Sequence, residues 1–229
     1  MDPADPEEEE RLALLQQVRG SFSGSSLTLL SIIQAVAVGE LATVVAADYA
    51  HFNIVQWLMS LVTLFLIIVV WDHLSRDAIT FSWVPDFRDS ALPFLIGVVE
   101  LFLCHAVGVG IDVWMVGTVG LAIAALAHLS YVQWRAEQWA ENRRMRAYAR
   151  ERWRVERGLT IAGIILCPTL AVAAKVGVFG TGVHVSGVHM ALAVCAVLLV
   201  GVWLAGYVLS THLSWRATVE RTGIGRLLD

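Results

Sequence analysis

Six separate runs of eighteen or more mostly apolar residues recur along this chain, and they limit what it can become more than any other feature. A helix of that length crosses the ~30 Å hydrocarbon core of a bilayer. The runs cover residues 27–48, 54–74, 91–109, 112–133, 159–176 and 188–213. The expected fold is all-α, an integral membrane bundle of six transmembrane helices. Across 229 residues, 57% are hydrophobic and only 16% charged, against about 25% charged in a soluble domain. One membrane domain is therefore expected in place of two soluble ones. The three cysteines, Cys104, Cys167 and Cys195, all fall inside apolar runs. An odd number so placed argues against a disulfide framework or a CxxC metal site, and for small apolar packing.

The polar segment between the fourth and fifth runs sets the orientation. Residues 134–157 carry eight arginines and four glutamates, with no proline or glycine. The stretch reads as helix, and it cannot enter hydrocarbon, where each arginine costs at least ~2.5–3.5 kcal/mol at the centre. It is expected to continue the fourth helix without a break and to project into the cytoplasm until Gly158 ends it. With six spans and both termini inside, all fifteen arginines lie on the cytoplasmic side and Lys175 alone lies near the outer face. That is the positive-inside bias, and it places the protein in a plasma or inner membrane.

The connecting segments follow from this frame. Residues 1–26 form an acidic tail and a short amphipathic interfacial helix, with Ser21–Ser26 as a link. The acidic start lacks the basic region of a secretory leader, so none is expected. An aromatic loop with Trp83 and Pro85 rests on the inner headgroups, and residues 177–187 make a glycine-rich outer loop. Residues 214–229 form a cytoplasmic tail. Pro168, inside the fifth run, is expected to kink its helix. Gly117, Gly120, Ala124 and Ala127 offer the fourth helix small surfaces for close contact.

Candidate functional residues are the polar groups inside apolar runs. Acids there are rare and mark ion or proton pathways. Glu40 and Glu100 are the leading pair, with His105 and Gln34 beside them, and Glu100 stands nearest the expected midplane. Glu100 and His105 are five residues apart and point about 140° from one another, so they do not share a face. Arg143, Arg144, Arg146, Arg150 and Arg154 are the expected contacts for anionic lipid or a cytoplasmic protein. The interleaved glutamates argue against nucleic acid. The histidines do not form facing pairs at matched depth: His189 and His212 lie ~34 Å apart on one helix. No haem, metal or other cofactor is expected. No GxSxG, HExxH or P-loop is present, so the chain does not read as an enzyme.

The reading is a polytopic membrane protein that passes a small cation or proton as a channel or small transporter, in homo-oligomeric form. A non-catalytic subunit that docks through the arginine-rich helix is the first alternative. A redox or lipid-modifying membrane enzyme using the histidines is the second.

Overall fold

The structure is a computed structural model, and it describes residues 6–81, 86–138, 146–176 and 187–222. Side chains are described over 24–81, 86–138, 150–174 and 187–216, together with Arg146 and Val176. Six α-helices account for nearly all of it: α1 (Pro6–Asp48), α2 (Ile54–Thr80), α3 (Phe87–Val109), α4 (Ile111–Gln138), α5 (Arg146–Lys175) and α6 (Gly187–Thr222). One turn of 3-10 helix, Tyr49–His51, follows α1. Each helix contains a segment long and apolar enough to cross a membrane. Large apolar side chains such as Ile68, Val98, Ile123, Ile165 and Val202 are more than half exposed on its outside. A water-soluble surface does not present apolar patches on this scale, whereas a lipid-facing one does.

Local chemistry explains where the helices begin and end. Asn53 caps α2: its side-chain oxygen accepts from the backbone of Val55 and Gln56, while Gln56 Oε1 accepts from Asn53 N. This reciprocal arrangement satisfies donors that no helical carbonyl can reach. Asp86 and Asp89 do the same for α3. Gly110 separates α3 from α4 at φ 155°, a conformation an L side chain rarely adopts. Its carbonyl then accepts from Trp114 N, so α4 starts at once.

Two expected boundaries are corrected. Ser21–Ser26 is not a link, because α1 runs through it as one helix. The six residues contain no proline, and the serines do not interrupt the backbone ladder. Gly158 does not end a helix either: α5 begins at Arg146 and passes through it. Of the arginine-rich stretch, the described residues are 134–138 in α4 and 146–157 in α5. An isolated glycine inside a helix costs only about 1 kcal/mol relative to alanine, which does not break one already held by neighbours. Residues 1–5, the loop with Trp83 and Pro85, Arg143, Arg144, the glycine-rich loop, the Lys175 side chain and residues 223–229 lie outside the description above.

The helix α2 is the central post, packing against α1, α3, α4 and α6. α3 joins α1 to α4, and α5 lies against both α4 and α6. Glycines let several of these pairs approach. Gly97 of α3 meets Ile33 of α1, Gly117 of α4 meets Leu103, and Gly163 of α5 lies under Trp203 of α6. Of the small α4 residues, Gly117 and Ala124 are buried and Ala127 is exposed. The core runs the length of the bundle, from Met59, Ala106 and Trp114 to Leu74 and Tyr207.

Candidate functional site

The ends of α2, α4 and α6 and the start of α5 meet at one end of the bundle, here called the arginine end. A network of ionisable side chains is buried among them. Spacing places its members: His73 and Asp77 are four residues apart on α2, and Arg152, Glu156 and Thr160 recur every four residues on α5. Each set therefore occupies one helix face. Arg152 Nε donates to Glu156 Oε1 at 2.7 Å, and its terminal nitrogens pair with both carboxylate oxygens of Asp77. His128 Nε2 lies 3.0 Å from Asp77 Oδ2. His73 Nε2 lies 3.2 Å from Glu156 Oε1, and Tyr207 donates its hydroxyl to Glu156 Oε2 at 3.3 Å. Arg152, Asp77 and Glu156 are 5%, 3% and 1% exposed. Taking such charges out of water costs several kcal/mol each, offset only by pairing this complete.

The donor and acceptor balance assigns the imidazole protons. A carboxylate only accepts, so His128 carries a proton on Nε2, and in the neutral ring its Nδ1 is an acceptor. That Nδ1 is buried and has no partner among the described residues. His73 faces an acceptor on both sides, because its Nδ1 lies 3.3 Å from Val69 O. A backbone carbonyl does not take up a proton, so of the two contacts only the one to Glu156 can exchange a proton with the ring.

Two cavities meet at this network. The first, of about 70 Å³, lies among α2, α4 and α6, reaching from Leu66 and Thr118 to His73, His128 and Tyr207. The second, of about 50 Å³, lies on the α1 and α3 side, bordered by Ser26, Leu30, Arg88, Asp89 and Tyr131. Leu74 and His128 line both, and Asp77 lines the second. His128, held by Asp77, thus stands in the partition. Each cavity exceeds the roughly 10–15 Å³ needed to hold a water.

A second polar group borders the second cavity. Tyr131 donates to Asp89 Oδ1 at 2.9 Å, and Arg135 lies 3.5 Å from Asp89 Oδ2. Arg135 is buried, and its guanidinium also lies 5.7 Å from the Tyr131 ring centre.

The residues expected from the sequence fall in three places. Gln34 and Glu100 come together: Gln34 Nε2 donates to Glu100 Oε2 at 2.9 Å across the α1–α3 contact, where Glu100 is fully buried. Gln34 Oε1 and Glu100 Oε1 have no partner among the described residues. The pair lies one turn beyond Leu30 and Ile96, which line the two cavities. Glu40 is only partly buried on α1, and His105 is on the exposed face of α3. Among the arginines, Arg150 and Arg154 are exposed, while Arg146 is half-buried and donates to Ala136 O. Two arginines outside that expected set, Arg135 and Arg152, turn inward to carboxylates.

The sequence reading missed the network. Its signal was the four-residue spacing of His73 with Asp77 and of Arg152 with Glu156, which sets an acid on the same face as each partner. Comparison of the chain with family models, with curated proteins and with solved structures finds no match. The functional argument rests on the geometry.

Proposed function

We propose that this polytopic membrane protein passes protons across a membrane, with the His128–Asp77 pair as the crossing point between two cavities. The observation that carries this reading is the position of His128. It lines a cavity on each side, is oriented by a buried carboxylate, and keeps one ring nitrogen unpartnered among the described residues. Intramembrane chains of carboxylate and histidine are the groups that relay protons in lipid. His73, Glu156 and Tyr207 extend the chain towards α5 and α6. Glu100, paired with Gln34 near the middle of α3, is a second proton-holding point one turn from the cavity walls. A metal or other cation would need several oxygen ligands facing one space. Here the carboxylates are turned to Arg152 and the histidines, which favours the proton over a larger ion. The arginine end lies in the cytoplasm of a cell with this protein in its plasma or inner membrane, by the positive-inside bias.

The test is proton uptake into liposomes that hold the purified chain and a pH-sensitive dye, driven by a potassium diffusion potential. The parent should acidify the vesicles faster than protein-free ones. His128→Gln keeps a donor for Asp77 but cannot relay a proton, so it should melt near the parent temperature and lose most of the flux. Parent vesicles that match empty ones would sink the proposal, and so would a His128→Gln variant that conducts like the parent.

A further inference from the structure

We propose that two copies of this chain pair in the membrane through the outer groove between α1 and α3, where Glu40 of one copy meets His105 of the other. This pairing goes beyond proton passage and stands without it. Three observations place the contact there. First, α1 and α3 lie side by side and run parallel. Ile33 meets Gly97, Gln34 meets Glu100, the Ala37 carbonyl accepts from Cys104, and Val44 meets Gly108. Glu40 lies between Ala37 and Val44, so it is level with the stretch from Cys104 to Gly108, which holds His105. The two residues share one depth, inside the apolar spans of their helices.

Second, both stand on the side of this contact that α2 leaves open. At roughly 100° per residue, Glu40 is turned about 60° from Ala37 in one sense, and His105 about 100° from Cys104 in the other. In parallel helices, opposite turns lead to the same side. The buried residues Gln34 and Leu41 of α1 and Leu103 and Val107 of α3 lie on the other side, and α2 packs against both helices. Glu40 is partly exposed and His105 is exposed, beside Val36 and Val98, which are more than half exposed. Neither Glu40 nor His105 has a hydrogen-bond or ion-pair partner among the described residues. Ionisable groups inside a span are costly when they face lipid, and they pair with one another.

Third, the groove is complementary to itself. A carboxylate accepts, an imidazole donates, and this surface carries one of each. Two copies inserted with the same topology are related by a twofold axis along the membrane normal, which keeps every residue at its own depth. A twofold contact joins residue i to j and j to i. Glu40 and His105, being level, therefore meet twice. Lipid acyl chains offer neither partner.

The experiment labels the purified full chain with donor or acceptor dye, mixes the two in liposomes at high lipid excess, and reads energy transfer. Parent chains should show transfer that falls when unlabelled parent is added. Glu40→His alone sets imidazole against imidazole, and His105→Glu alone sets acid against acid. Each should associate at least about tenfold more weakly, the worth of one interhelical hydrogen bond. Mixed together, the two variants restore both pairs, and transfer should return. Mixing would restore nothing if the pair formed within one chain. Glu40→Leu combined with His105→Leu places apolar groups where lipid suits them, so this chain should fold and stay monomeric even if a charged variant does not fold. Parent chains without transfer, or leucine chains that associate like the parent, would overturn the pairing. So would folded charged variants that associate like the parent when alone, or that recover no transfer on mixing. Vesicles that conduct no protons would leave each result unaffected.

Discussion

Arg152 and Arg150 sit two residues apart and do opposite things. Arg150 is exposed on α5, whereas Arg152 turns inward to two carboxylates. Removing one member of a buried ionic group leaves its partners charged and unpaired, at a cost of about 3–5 kcal/mol. Arg152→Met should therefore lower the melting temperature in detergent sharply, while Arg150→Met should leave the curve in place. Equal melting of the two variants would show that the network does not hold the bundle. The Glu100–Gln34 pair gives a second residue-scale contrast. Glu100→Gln substitutes an amide that still pairs with Gln34, so the fold should survive with reduced proton flux. Glu100→Leu should lose about 1–3 kcal/mol, because it strands the Gln34 amide among apolar groups. Flux unchanged in the Gln variant would assign the pair to helix packing alone. Gln34 and Glu100 were legible as intramembrane polar residues. Their meeting across 66 positions was not, since nothing local to either segment encodes the other's rotation.

At the scale of the helix, α5 carries the most conflicting instructions. Its first twelve residues are rich in arginine, Gly158 follows, and Pro168 lies inside the remainder. Contacts override these local signals. Trp203 of α6 lies over Gly163 and donates its indole N–H to Leu159 O at 2.9 Å. A methyl group at Gly163 would meet the indole ring at 2.5 Å, inside van der Waals contact. Gly163→Ala should thus force α5 and α6 apart and cost about 1–3 kcal/mol, as overpacking does. Thermal unfolding in detergent checks this, and a variant as stable as the parent would mean that Trp203 has room to move. α1 shows the same priority of context over composition: a serine-rich stretch that reads as a link continues as helix, since serine only mildly disfavours helix.

For the whole molecule, the first matter is which side faces the cytoplasm. Tyr49 is exposed at the end of the bundle remote from the arginines, and Phe87 is exposed at the arginine end. In a parent lacking its three cysteines, Tyr49→Cys should react with a membrane-impermeant maleimide added outside intact cells. Phe87→Cys should react only after lysis. The reverse pattern would invert the proposed topology, and labelling of both from outside would remove it.

What the sequence determined by itself is the number of long apolar helices and the segregation of charge between the ends. Both are one-dimensional properties: hydrocarbon thickness sets the length of a run, and the cost of burying arginine sets where runs stop. Tertiary structure alone decided which polar residues meet. In a soluble helix, apolar periodicity reveals the buried face. In a helix surrounded by lipid both faces are apolar, so periodicity no longer reports rotation about the axis. Asp77 and Arg152, 75 residues apart, become partners only because α2 and α5 pack with those faces together. The same packing sets His128 between two cavities.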